Sequence, residues 1–450
     1  MLLKSPKYKN NLKSGRKENG MMKKMTLLLA GMMTVSMLGG AAYAEENADQ
    51  PERNLTMICK DNASSYVAIA IEEALKMYQE EVNPNFNIDI QYIGDTESYI
   101  QKLKTLVSAD EVPDIFTCDM DPYAETLYEA GIMMDMDEIY KRNGWYDQMV
   151  EGSYKWARLD SNGKQVGICF QLTPEVCYYN TEMFEEAGCE VPTNLDEFLE
   201  VCQKLSDKGY TPISIGQKSR WHVLRYMTFV SYYREGNDFL FGLMDGTKKM
   251  NSETGLEAIN FVASLAPYIN PDFTTFDTAD ARDYFLGGNA AMYFMGSWDL
   301  PYMQDDKLSD DMKGKIDCFV MPGPADADTY DCNTHFICGG GNPYCFNAET
   351  FDEETERFLV YLIDHYGPLV EKDLFSPIVG SSAPGDTYIT ERVASYASQM
   401  EESIIPYDCR LDANTYAVMA SGAESLLLGM CTAEEYANEV DAALEQYLAQ

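Results

Sequence analysis

The chain has 450 residues, 46% of them hydrophobic, and carries 34 Lys and Arg against 73 Asp and Glu, a formal net charge of −39. That balance excludes a phosphate-backbone partner, which needs clustered Lys and Arg, so no nucleic-acid ligand is expected. The length is more than one small core serves and calls for two lobes.

The first twenty residues are basic and polar. The stretch "MMKKMTLLLAGMMTVSMLGGAAYAEE" follows. Lys23 and Lys24 form a positive n-region, Met25 to Leu38 an apolar h-region, and Ala42-Tyr43-Ala44 a small-x-small cleavage site. Residues 21–44 therefore read as a secretory signal peptide, and 1–44 as a leader. The apolar core, about 14 residues, is short of the roughly 20 that span a bilayer. Without the leader's eight basic residues and one acid, 26 Lys and Arg face 72 Asp and Glu, a net of −46 over 406 residues. Such a charge suits an exported protein that avoids self-association, and a monomer is expected.

From Asn54 strands and helices alternate. "NLTMICK", "FNIDIQYIG" and "PDIFTCD" read as strands. "SSYVAIAIEEALKMYQEEV", "TESYIQKLKTLVSAD" and "PYAETLYEAG" read as helices, the last closed by Gly131. Such crossovers predict a mostly parallel sheet with helices on both faces, and ligands at the carboxyl ends of its strands. Those ends carry Asp61, Asn62 and Ser64, then Gly94, Asp95 and Thr96, then Asp119 and Asp121. None is a glycine-rich phosphate cradle. Nucleotide binding is disfavoured, and neither cofactor nor metal is expected.

Next come two extended runs either side of Leu172-Thr173-Pro174, with Pro174 breaking the ladder between them. Helices are predicted near 181–187 and 194–208, the second capped by Asn194. "TPISIG" is a strand, and Trp221 opens the helix "WHVLRYMTFVSYY". After helices near 253–267 and 279–287, "FLGGNAAMYFMGSWDL" gives a buried strand that exits on Trp298, one of four tryptophans. "DCFVMPGP" ends a further strand, and "THFICGGG" leads to a helix over 352–366. Helices near 387–402, 412–428 and 432–448 complete the chain. Of the twelve cysteines, Cys59, Cys118, Cys169, Cys177 and Cys318 lie in apolar runs, where Cys acts as a small hydrophobe. Most thiols therefore read as core, with room for one or two bridges.

Several ordered stretches resemble a known family. They are "KLKTLVSADEVPDIFTCDMDPYAETLYEAGIMMDMDEI", "PEVCYYNTEMFEEAGCEVPTNLDEFLEVCQKLSDKGYTPISIG", "FLGGNAAMYFMGSWDL" and the ending "GxxxxEEYANEVDAALEQ". Together they are similar to extracellular solute-binding proteins of ABC importers, in the carbohydrate-binding branch of maltose-binding protein. The resemblance implies an α/β, two-lobed periplasmic-binding-protein-like fold of type II, with a central ligand cleft. It places 45–171 and 337–395 in the first lobe, and 172–336 and 396–450 in the second. It also implies a sugar or oligosaccharide ligand, delivery to the transmembrane subunits of an ABC permease, and no catalysis.

A sugar presents flat apolar C–H faces to aromatic rings and hydroxyls to carboxylates. Trp298 matches the family position that stacks on a sugar ring, with Gly296 and Ser297 allowing the turn. Asp119 is the expected hydroxyl acceptor, and Asp121, also a candidate, is better suited to capping the helix before Pro122. Glu175 resembles a family cleft carboxylate. Trp221 opens a helix that would overhang the cleft, and Asp299 serves the site or the next turn. Asn62, Ser64 and Asp95 are candidates by location. The late segment "IIPYDCRLDANTYAVMA" lacks the family's second stacking Trp, leaving Tyr407 or Tyr416 to substitute. Ala41 stands where relatives carry a lipobox Cys, which argues against a lipid anchor. Two alternatives stay open: a cationic ligand such as a polyamine, and an exported glycoside hydrolase using Asp119 and Glu175.

Overall fold

A computed structural model of the chain describes residues 50–327, 329–381, 384 and 387–449. The leader and signal peptide lie outside the described residues. By contacts the described residues form a small unit, 50–53 with Gln79–Phe86, and a large one, Asn54–Tyr78 with 87–449. In the small unit Arg53 N donates to Asn85 O, and Asn83 Nδ2 donates to Pro51 O.

The first half runs β1 (Arg53–Cys59), α1 (Tyr66–Glu81), β2 (Phe86–Tyr92), α2 (Thr96–Ser108), β3 (Ile115–Thr117) and α3 (Pro122–Glu129). Three short helices follow, α4 (Asp137–Asn143), α5 (Trp145–Gln148) and α6 (Glu151–Trp156), then β4 (Gly167–Ile168). Gly131 ends α3 with a φ of 72°, the left-handed turn that stops a helix at low steric cost. Ile58, Leu103, Phe116, Leu127 and Cys345 share one buried cluster here.

The chain then enters a second sheet through β5 (Thr173–Asn180). It continues as α7 (Thr181–Ala187), α8 (Leu195–Asp207), β6 (Thr211–Ile213), α9 (His222–Glu235), α10 (Asp238–Met244), α11 (Glu253–Ser264), α12 (Thr278–Leu286), β7 (Ala290–Gly296) and β8 (Ile316–Phe319). Asn194 caps α8 as expected, its side chain accepting from Glu197 N. Every residue of β5 is buried. Its side chains alternate, Cys177 and Tyr179 toward a core with residues of α8, α9 and α11 and with Met419 and Tyr436, Val176 and Tyr178 toward one with Phe285 and Met295. A sheet covered on both faces is what an apolar strand such as β7 requires. The remaining elements are β9 (His335–Phe336), β10 (Cys338–Gly339), β11 (Tyr344–Phe346), α13 (Glu353–Val370), α14 (Tyr388–Ala397), β12 (Glu402–Ser403), α15 (Ala413–Leu427) and α16 (Ala433–Leu448). α16 starts on a capping box between Thr432 and Glu435.

The sheet orders are β2-β1-β3-β11-β4 and β10-β5-β7-β6 with β8 beside β5. They correct several expectations. The second sheet is mixed rather than mostly parallel, and in the first β1, β3 and β4 share one direction with β11 reversed among them. β1 pairs β3 in parallel, and β6 pairs β7 in parallel. However, β11 enters between β3 and β4 antiparallel, and β5 is antiparallel to β7, β8 and β10. These strands return from long excursions, so local helical crossovers do not set their direction. Pro174 breaks no ladder. It lies inside β5 opposite Cys338, where the neighbouring Glu175 N makes the bond to Ile337 O and no Pro N–H is needed. The helix expected over 387–402 ends at Ala397, and Glu402 pairs with His335 as a strand. Residues of α14, grouped by sequence with the first lobe, pack on the second sheet through Ile389, Val393 and Tyr396. All twelve cysteines are free thiols, eight of them buried.

Candidate functional site

The strand ends of both sheets line one cavity of about 700 Å3. Asn62, Ser64, Asp95, Asp119, Asp121, Glu175, Trp221, Trp298, Asp299 and Tyr416 all lie in its wall. Tyr407 does not. It is buried in the core, and its hydroxyl donates to Ser231 Oγ at 2.5 Å. The next residue, Asp408, is the one that reaches the cavity. The two sit in a 3-10 turn, where successive side chains point in different directions.

Trp298 follows β7 and partly packs on the second sheet's core. Its indole lies directly over Gly296, where a Cβ would come within 2.1 Å of the ring. Only glycine leaves that space, and this accounts for the Gly-Ser-Trp exit. Trp221 meets Trp298 edge to face, with centroids 6.1 Å apart. Arg225, one turn into α9, lies 5.0 Å from the Trp221 ring. Next to Trp221, His222 is buried among Gly216 N and Thr278 Oγ1; burial and then Arg225 hold its imidazole down at about 3, so it is neutral.

Two charge clusters face the cavity. On the first-sheet side, Lys60 Nζ donates to Asp119 Oδ2 at 2.5 Å. Burial alone would lower the Lys60 ammonium, but the Asp119 charge and hydrogen bond carry it above its usual range. On the second-sheet side, Arg225 Nη2 lies 3.5 Å from Glu175 Oε1 and 3.3 Å from Asp408 Oδ2. Glu175 is 3% exposed and Arg225 7%. Among the described residues, Glu175 Oε2, Asp408 Oδ1, and Arg225 Nε and Nη1 are buried and find no hydrogen-bond partner. Most buried polar atoms in native proteins have a partner, so these atoms, which face a cavity, are open to a ligand or a water. Burial pushes the Glu175 carboxyl up to about 7, against the pull of Arg225.

Some predicted residues are already engaged locally. Asp95 caps α2, accepting from Ser98 N at 2.9 Å, and those hydrogen bonds lower its carboxyl. Asp121 caps α3, accepting from Tyr123 N and Ala124 N. Burial and then the Asp119 charge push it up to about 7. Asp299 accepts from the Tyr293 hydroxyl at 2.8 Å, and burial raises it to about 6. Asn62 and Ser64 are exposed on the rim.

Sequence reasoning missed Lys60, Trp156, Gln171, Arg225, Arg282 and Asp408, all in the wall. Lys60 is the one a strand-end search could have found, since it directly follows β1. Trp156 ends the short helix α6, Arg225 reads as interior to α9, and Asp408 arrives from a distant turn.

Fold and cavity together define a protein built to enclose a solute. The family profile described as bacterial extracellular solute-binding protein matches residues 73–366, and the chain belongs to that family. A multiple sugar-binding protein of Streptococcus mutans is 23% identical over 356 residues, 76% of this chain and 78% of its own length. An ABC transporter extracellular-binding protein of Pyrococcus horikoshii is 23% identical over 351 residues, 74% of each chain. Among solved structures, a chitin oligosaccharide binding protein superposes with a TM-score of 0.77 at 21% identity, covering 89% of this chain and all (100%) of its own. A sugar transporter from Arthrobacter chlorophenolicus with bound laminaribiose gives 0.66 at 18% identity, covering 89% of this chain and 100% of its own. The fold is therefore that of type II periplasmic solute-binding proteins. Among the described residues no helix is long and apolar enough to cross a membrane.

Proposed function

We propose that this protein captures a sugar or oligosaccharide in the cavity and hands it to the transmembrane subunits of an ABC importer, without chemistry. The observation that carries this reading is the company the tryptophans keep: Trp221 and Trp298 line the same wall as the buried Glu175–Arg225–Asp408 cluster. Indole faces suit the C–H faces of a sugar, and unpaired carboxylate and guanidinium atoms suit its hydroxyls as acceptors and donors. The sugar-binding descriptions of several relatives support the same class. Four cations in the wall, Lys60, Lys218, Arg225 and Arg282, offset part of its acidity and favour a neutral ligand over a polyamine.

A thermal-shift screen of residues 45–450 against mono- and oligosaccharides and polyamines tests this. Ligand at 100 times its Kd stabilises the native state by about 2.7 kcal/mol. A shift with one sugar family is expected, and a shift with polyamines alone overturns the sugar reading. With the sugar in hand, Trp298→Ala should raise Kd at least tenfold while leaving the circular-dichroism spectrum unchanged. Undiminished affinity would remove Trp298 from the binding wall.

A further inference from the structure

The run Gly339-Gly340-Gly341 has no role in turns or sheets that three successive glycines would need to serve. β10 supplies only Gly339 to a ladder, and Gly341 alone has positive φ, at 70°. What the run does is leave space. A Cβ at Gly339 would come within 2.7 Å of the Trp156 ring, one at Gly340 within 2.6 Å of Cys169 Sγ, and one at Gly341 within 2.5 Å of Gln171 Nε2. The indole of Trp156 and the amide of Gln171 thus lie against bare backbone. Both line the cavity, as do Gly339 and Gly341 themselves. Arg410 lies 5.0 Å from the Trp156 ring centroid, and its Nε is 2.9 Å from Asp160 Oδ2. The indole is therefore steadied by a glycine floor and a neighbouring anchored guanidinium, which reduces the entropy lost when a ligand packs on it.

This wall is separate from the other one. Trp221 and Trp298 touch each other, but among the described residues neither makes a ring contact with Trp156. Three of the chain's four tryptophans are spent on this cavity, at two places, while Trp145 alone is core. Trp156 lies against Gly339 and Trp298 against Gly296, which pair with Thr173 and Glu175 from the two strands either side of β5, so the indoles sit side by side over one sheet face rather than opposed, and one sugar ring does not cover both. The volume, about 700 Å3, also lies in the upper part of the roughly 300–1,000 Å3 range of ligand pockets.

We propose that Trp156 and Gln171, seated on Gly339–Gly341, form a second ligand-binding wall, and that the ligand is a chain of at least two sugar rings reaching from it to Trp221 and Trp298. This rests on the sugar reading above. The wall gives each end of the ligand an aromatic seat and lets Gln171 bond a hydroxyl beside the Trp156 end.

The test is titration calorimetry of the wild type, Trp156→Ala, Trp156→Phe and Gly339→Ala with glucose and its β-1,3- and α-1,4-linked oligomers and with N-acetylglucosamine and its β-1,4-linked oligomers, from one to five units, together with acrylamide quenching of the ligand-free proteins. In the wild type, Kd should fall at least tenfold between one unit and the best oligomer. Trp156→Ala should abolish that gain, with a loss of affinity that grows with the number of units, Trp156→Phe should restore much of it, and Gly339→Ala should lose it by tilting the indole. Equal losses at every length, or none at any, would overturn the second wall while leaving sugar binding intact. Oligomers that bind no more tightly than single units to the wild type would overturn it as well. Failure of every sugar to bind the wild type counts against both readings. Quenching separates them without ligand: the Trp156 contribution, obtained by difference from Trp156→Phe, should be accessible to acrylamide, and a fully shielded Trp156 overturns the wall by itself.

Discussion

Arg225→Met is expected to destabilise the protein by about 3–5 kcal/mol at pH 8, the usual cost of leaving a buried charge without its partner. Arg225 stands between two carboxylates that lie 3.5 and 3.3 Å from its Nη2. Methionine keeps much of the side-chain volume and its contact with Trp221, so packing loss is the smaller part. What remains is Glu175 and Asp408 facing one another in a site that burial already makes hostile to negative charge. The loss should therefore be largest where both are ionised and shrink on acidification, as each takes a proton. Urea denaturation at pH 8 and pH 5.5 measures it. A penalty below about 1 kcal/mol at pH 8 would mean that the cluster is hydrated and that Arg225 is not its counter-ion. Adding Glu175→Gln to the variant should return part of the stability, since it removes one of the two stranded charges.

The second large effect is on the pH profile of stability. Burial pushes Asp121 and Glu175 up to about 7 and Asp299 up to about 6. In the unfolded chain such carboxyls titrate near 4. Between about pH 4 and 7 the native state therefore holds protons that the unfolded state has released. Stability from these groups is present at the acid end and is lost as pH rises through 6 to 7. His222 acts oppositely: held neutral down to about 3, it costs stability as pH falls below its unfolded value near 6.5. Three carboxyls outweigh one imidazole. Carboxyls that ion pairs hold below their usual range, such as Glu356 beside Arg142, weaken the fold only below about pH 4.5. The net expectation is a gain on the order of several kcal/mol from pH 8 to pH 5.5, read as a higher Tm by calorimetry. A Tm that rises toward pH 8 would refute it. Glu175→Gln should flatten the profile and raise the Tm at pH 8.

The parts of this site legible in the sequence are those that sit at strand exits. Trp298, Trp221 and Asp119 each follow a short apolar strand or start a helix after one, and the chain direction alone brings such residues to one rim, whereas Glu175 enters near the start of β5. Polarity at those exits could not separate ligand contacts from helix caps, because the same Asp that faces a cavity also satisfies the first N–H groups of a helix; Asp95 and Asp121 do this. Arg225 was hidden because α9 is buried on nearly every side and shows no polar face to interrupt. Tyr407 against Asp408 was a matter of one residue's rotation in a turn that no periodicity specifies. The order of the sheets was out of reach for a related reason: β11 reaches the first sheet from the second, and only long-range pairing decides its partners.

The free cysteines make the protein's tolerance of air a property of its folded state. Burial pushes the Cys59 and Cys338 thiols up to about 12, so the reactive thiolate is scarce as long as the core is closed. Once the chain opens, twelve ordinary thiols become available to one another at high local concentration, and none has a native partner to compete with a wrong one. Unfolding in an oxidising medium is thus a one-way step, sealed by scrambled bridges, while the same excursion with a thiol reductant leaves the chain able to return.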